Sequence, residues 1–410
     1  MIIRETNEHL SVIVQIILNH PHSSYHHQVN FQAMHQTIMQ QNVGNDSSNQ
    51  SARERSRSPP RGGQAYALKQ PIGQYATDFK QYGFLQRVDG VVLRSDMETN
   101  FFPRYNEFKR FVDDSSDWQW SDARFDSHLL LPWLHDLVIN NLAMHNLSRA
   151  VLLDENNNDA DSPIVVWGTD FCVKQAGGSE YFSWHQDSTY SGWAGGQPKP
   201  HGITVWLAFS DVSDVRAGPV VFRDMYSLGV TNNNMRQLRH EEKRGEAGSG
   251  NMLAFGQTIP DSEIEQLVIS CSSDTKSNSK VTGDDKKVRL SDGAVVEALL
   301  PPGSASVHDF FTIHSSQANQ LPVDRVGLAI RLVRGDAVPY QDAMHTQLSA
   351  NRIDRVTFLC GDKSKLASNF ELEEYVPKEN LGQREIEEWE KSMQRQKEQY
   401  FGGQPENAFK

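Results

Sequence analysis

His185 and Asp187, one residue apart in the stretch Trp184-His185-Gln186-Asp187, and His314 far downstream offer two imidazoles and one carboxylate. That is the ligand set of a facial site for non-haem Fe(II), which leaves coordination positions open for a co-substrate and O2. In an extended strand, side chains at i and i+2 point to the same side. His185 and Asp187 are therefore expected to grip one ion from one strand, with His314 arriving from another. Such a trio arises often by chance, and a half-buried strand histidine beside an exposed Asp is the commoner outcome. The surroundings of His314 carry the stronger signal.

The elements that must position these groups follow from the apolar pattern. Pro302-Gly303 turns the chain, residues 304–313 read as a strand bearing His314 at its end, and 319–324 make a hairpin connection to an apolar return strand, 326–333. Arg325 and Arg331 belong to that return strand and share a face by parity. A guanidinium fork binds a carboxylate through two parallel hydrogen bonds, so this face suits a dicarboxylate co-substrate; the alternative is that one or both arginines face solvent. His308 precedes His314 by an even number of residues, which puts both on one strand face and makes His308 the chief rival as third ligand. Upstream, 164–174, 181–187, 203–209 and 219–222 read as strands. Helical spacing marks 96–112, with Ser95 or Asp96 as N-cap, and 129–153. Cys172 reads as a small buried hydrophobe and His240 as an exposed loop histidine.

Several of these stretches resemble the phytanoyl-CoA dioxygenase superfamily: Ser183-Trp-His-Gln-Asp-Ser-Thr-Tyr190, Val205-Trp-Leu-Ala-Phe-Ser-Asp211, Ala217-Gly-Pro-Val, and His314-Ser-Ser-x-x-Asn followed by Arg325-Val-Gly-Leu-Ala-Ile-Arg331. The likeness runs over roughly residues 78–345. It implies a mainly β fold with flanking helices, a double-stranded β-helix (jelly-roll, cupin-like) barrel. It also implies an Fe(II)- and 2-oxoglutarate-dependent dioxygenase that uses O2, releases succinate and CO2, and takes ascorbate as a supporting reductant. Carried over by position, His185, Asp187 and His314 match the iron ligands and Arg325 the clamp on the far carboxylate of 2-oxoglutarate. Ser316 and Trp206 match positions lining the same pocket, to which Arg331 is added from its shared strand face. Arg239-His240-Glu241 and residues 251–257 look most similar to the chlorinating branch. Halogenases there replace the ligand carboxylate by a small residue, whereas Asp187 retains it, so hydroxylation or another C–H oxidation is expected. The implied substrate is a small molecule or an acyl thioester. The run Phe222 to Gly229 departs from the family's usual turn, so no narrower substrate is carried over. The alternative is a silent barrel that binds without turnover, against which the intact ligand and clamp residues weigh.

A length of 410 residues suits one large domain with appendages. The net charge of −12 argues against a nucleic-acid surface, and no run is long enough to span a bilayer. Three scattered cysteines fit a reduced intracellular setting, here cytoplasmic, with nuclear entry through the Arg/Ser run near residues 53–61 as the alternative. Neither a secretory signal nor a C-terminal address is expected. Residues 1–70, rich in His, Gln and Ser, read as a disordered tail. Residues 259–297 read as a loop-like insertion with an edge hairpin at 281–290. Residues 346–410 read as a helical extension whose stripe at 384–400 packs on the barrel or serves self-association. Oligomeric state is left open.

Overall fold

The computed structural model describes residues 68–116, 118–153, 159–196, 200–241, 250–253, 256–274, 295–338, 353–378 and 386–394. Two sheets carry the architecture. The larger has seven strands in the order β1 (Phe84–Val88), β7 (Ala305–Asp309), β4 (Gly202–Ala208), β9 (Arg325–Arg334), β2 (Ile164–Lys174), β10 (Asp354–Cys360) and β11 (Phe370–Leu372). The smaller has four, in the order β3 (Phe182–His185), β8 (His314–Ser316), β5 (Val220–Arg223) and β6 (Val295–Glu297). All pairings are antiparallel except β10 with β11. This is a jelly-roll arrangement of two facing sheets with helices on one side.

Alternation decides which face each residue takes. On β4 and β9, Ile203, Val205, Leu207, Val326, Leu328, Ile330 and Leu332 all join one apolar cluster. The same cluster holds side chains from α1 (Ile72–Tyr82), α2 (Phe102–Asp114), α3 (Pro132–Ile139) and α4 (Leu142–Leu152). Each fully buried Leu or Phe there contributes about 2 kcal/mol of transfer free energy. Gly83, at φ 77°, stops α1 in the left-handed conformation that glycine adopts without Cβ strain. The Asn141 carboxamide accepts from the backbone N–H groups of Ala143 and Met144 and starts α4.

Several expectations need correction. The helix expected at 96–112 starts earlier, at Arg94, without a side-chain cap from Ser95 or Asp96, and passes through a π turn at Met97–Phe101 before α2. The strand expected at 304–313 is broken. β7 ends at Asp309, and residues 310–313 carry the chain across to the other sheet, where β8 begins at His314. β8 and β9 therefore make no hairpin; β9 pairs with β2 and β4. The insertion is not all loop either, because α5 (Asp261–Asp274) packs Ile264, Leu267 and Val268 into a small apolar cluster. The 1–67 part of the tail and the 281–290 hairpin lie outside the described residues. Of the C-terminal stripe, 386–394 is helical. Its Ile386 and Trp389 join the main cluster, and Trp389 Nε1 donates to Phe125 O at 2.9 Å, so this face packs on the body of the protein. Among the described residues no helix is long and apolar enough to cross a membrane.

Candidate metal centre

His185 closes β3 and stands directly opposite His314 on β8. Asp187 is not in the strand. It sits in helical backbone geometry (φ −65°, ψ −27°) at the start of the short helix Ser188–Ser191. The i, i+2 strand argument therefore does not describe how these two residues come together: the chain turns after His185 and swings the carboxylate back. Gln186 stabilises that turn. Its carboxamide donates to Phe311 O at 2.7 Å and Arg236 O at 2.9 Å and accepts from Leu238 N at 2.7 Å. His240 belongs to the same brace. It is buried, not exposed as expected, and its Nε2 accepts from the Gln186 N–H at 3.3 Å.

His185 Nε2 and His314 Nε2 each lie 3.7 Å from Asp187 Oδ1, and one ligand atom from each of the three residues falls within 4.8 Å of the others. Both rings have Nδ1 committed to a backbone carbonyl, Ser183 O at 2.8 Å for His185 and Thr312 O at 3.0 Å for His314. A ring that donates from Nδ1 presents the Nε2 lone pair, the form a metal needs. Burial lowers both imidazole pKa values; for His314 the neighbouring His185 and His308 add to the effect. Burial alone would raise the Asp187 carboxyl, but His308, His314 and Arg331 outweigh it and hold it well below the usual range. Neutral imidazoles beside an ionised carboxylate form a donor set that fits a divalent ion.

The second part of the site lies on the inner face of the larger sheet. Lys174 pairs with Arg325 and Gly168 with Arg331 across β2 and β9, while Thr204 pairs with both Arg331 and His308. Directly opposed residues share a face, so all of these groups look toward the smaller sheet. Arg325 is 2% exposed, and its Nε and Nη2 have no hydrogen-bond partner. Its guanidinium lies over the Trp206 ring at 4.9 Å. The ring has room only because residue 327 is glycine: a Cβ there would come within 1.9 Å of Trp206 Cζ2. Lys174 Nζ donates to Ser316 O at 2.9 Å and also to Ser316 Oγ and Gln317 O. The Ser316 hydroxyl in turn donates to Gly218 O at 2.9 Å. Burial, helped by Arg325, pushes the Lys174 ammonium down to about 5, and burial lowers Arg325 to about 10. At neutral pH that leaves Lys174 an uncharged amine and Arg325 the buried cation, unhydrated and with two nitrogens unpartnered, so the cradle suits a carboxylate. Arg331 occupies the other end of this face, where its charge acts on Asp187 and His185. The two arginines share a face but not a position.

The sequence reading missed Lys174, Thr204 and Gln186. A single Lys or Thr at the end or middle of an apolar strand carries no spacing signal. Gln186 was visible only as the filler between two ligands.

Residues 97–327 match the family described as phytanoyl-CoA dioxygenase (PhyH). No curated protein sequence matches the chain. Among solved structures, the apo form of the non-heme monooxygenase ThoJ shares 18% identity at a TM-score of 0.53, covering 80% of this chain and 97% of that one. The ThoJ–Ni complex shares 18% identity at 0.51, covering 79% and 98%. EctD from S. alaskensis with 2-oxoglutarate and 5-hydroxyectoine shares 12% identity at 0.44, covering 76% and 90%. The two ThoJ structures establish the likeness of fold.

Proposed function

The chain belongs to the phytanoyl-CoA dioxygenase family and is an Fe(II)- and 2-oxoglutarate-dependent oxygenase, and from that premise we propose that it hydroxylates, or otherwise oxidises, a C–H bond of a small molecule or acyl thioester. The observation that carries this reading is the convergence of His185, Asp187 and His314 beside a buried guanidinium with two unpartnered nitrogens.

In this reading His185 Nε2, His314 Nε2 and one oxygen of Asp187 hold the metal. When bound, Fe(II) with 2-oxoglutarate activates O2 while the keto acid is converted to succinate and CO2. Arg325 takes the far carboxylate of the co-substrate in a two-point contact of the kind a lysine cannot make. Trp206 walls the cradle and fixes the plane of that guanidinium. Lys174 draws Ser316 and Gln317 toward β2, holding the strand that presents His314. Phe222, Ala329 and Cys172 line the space between the sheets with apolar surface and exclude water. Retention of Asp187 leaves no ligand position for a halide and favours oxygen insertion.

The test is anaerobic titration of the metal-free protein with Fe(II) and 2-oxoglutarate, followed by succinate measurement in air. The expected outcome is a weak visible charge-transfer band, lost in Asp187→Ala together with succinate formation. A parental succinate rate in Asp187→Ala at saturating iron overturns the ligand assignment.

A further inference from the structure

Asp187 has two oxygens, and the protein treats them differently. Oδ1 faces the gap between His185 Nε2 and His314 Nε2, at 3.7 Å from each. Oδ2 faces away from that gap. It accepts the hydroxyl of Thr204 from β4 and lies 3.4 Å from His308 Nε2 on β7. His308 is 2% exposed, and neither of its ring nitrogens makes a well-aligned hydrogen bond to any group. A buried imidazole in that condition costs stability, and the second oxygen of the carboxylate stands within reach of its Nε2.

Resting on the metal assignment above, we propose that His308 and Thr204 are positioning residues. Together they hold Asp187 Oδ2 so that the carboxylate meets the ion through Oδ1 alone. A carboxylate free to rotate can bind through both oxygens and fill a position that the co-substrate needs. The Thr204 hydroxyl bonded to the outward oxygen, with His308 Nε2 standing 3.4 Å from it, removes that option. His308 and Thr204 are direct cross-strand partners on the larger sheet, whereas His185 and His314 belong to the smaller one. The position of Asp187 thus depends on the spacing of the two sheets, and His308 and Thr204 transmit it. His308 is also excluded as the third ligand: its Nε2 addresses the oxygen turned away from the cluster, and the trio of mutually close donor atoms does not include it. Its ring stands 4.2 Å from that of His314 and 5.5 Å from that of Phe222, centroid to centroid, which confines its rotation.

The test compares parent, His308→Phe, His308→Gln and Thr204→Val by Mn(II) titration calorimetry on metal-free protein, with a thermal melt of each in the absence of metal. Loss of a group that orients a metal ligand typically weakens affinity about 10- to 100-fold. His308→Phe is expected to lose Mn(II) affinity in that range without a lower metal-free melting temperature. His308→Gln, which keeps an N–H donor, should recover most of it, and Thr204→Val should shift it in the same direction by a smaller factor. Extended X-ray absorption on the Mn(II) parent should count two imidazole nitrogens, unchanged in His308→Phe. Parental affinity in His308→Phe, or a third imidazole that this variant removes, overturns the inference. If Asp187→Ala binds Mn(II) as the parent does, the metal assignment falls instead. Should His308→Phe fail to fold, the Thr204→Val titration and the nitrogen count in the parent still decide.

Discussion

The two faces of the seven-stranded sheet follow opposite rules. The helix-covered face is mainly apolar across β2, β9, β4 and β7, with Thr169, hydrogen-bonded to His128, as a polar exception, and most of its residues share one cluster. The inner face, built by the same strands, carries Lys174, Arg325, Arg331, Thr204 and His308, and Arg325 and His308 have polar atoms that find no partner. Residues one step apart along a strand thus serve different ends. The first face stabilises the fold through burial, and the second holds a costly arrangement that a metal and a dicarboxylate would relieve. The difference shows that stability and chemistry are divided by side-chain parity, not by segment.

The contrast can be broken by substitutions one strand position apart. Leu328→Ala, on the covered face, should lower unfolding free energy by about 2–5 kcal/mol through lost burial and a residual cavity. The 2-oxoglutarate affinity of the folded fraction should be unchanged, as read by denaturant melts and calorimetry. Arg325→Met, on the inner face, should do the reverse. Co-substrate affinity should fall roughly 100-fold, about 3 kcal/mol, for loss of a two-point charged contact. Its metal-free melting temperature should hold or rise, since an unpaired buried charge has gone. Gly327→Ala tests the glycine between them: the added methyl meets Trp206 and should cost about 1–3 kcal/mol in stability while weakening co-substrate binding by displacing the ring under Arg325. A pH-dependent effect belongs to Asp309, where β7 leaves the sheet. Its carboxylate accepts from Gly196 N at 2.9 and 2.8 Å and from Phe311 N at 2.7 Å, yet burial pushes it up to about 7 from 3.8. Between those values the folded protein holds a proton that the unfolded chain has released, so stability should fall as pH rises through that window. Asp309→Asn should flatten the slope in melts taken from pH 4 to 8.

Much of the fold was legible because long alternating strands announce themselves. Residues 164–174 were read as a strand and form β2 to the residue, and 203–209 differs from β4 by one position at each end. What parity could not reveal is where a strand stops. Residues 304–313 read as one strand because Phe310, Phe311 and Ile313 are apolar. In the structure they are buried while crossing between sheets, with Thr312 Oγ1 donating to Gly83 O at 2.8 Å. That crossing moves His308 and His314 onto different sheets, so the shared strand face that counting residues implies for them does not exist. The buried His240 was misread for a similar reason: a polar neighbourhood in sequence says nothing about which backbone N–H a ring will meet.

By itself, the order of residues determined the kinds of group available, two imidazoles, a carboxylate and a guanidinium, and the strands that would carry most of them, because side-chain chemistry and period-two alternation are local properties. Only the tertiary structure decided which oxygen of Asp187 faces the cluster, that Lys174 stands against Arg325, and that Arg331 does not join them. Those facts depend on strand register and on the gap between two sheets, which are set by pairings between residues far apart in the chain.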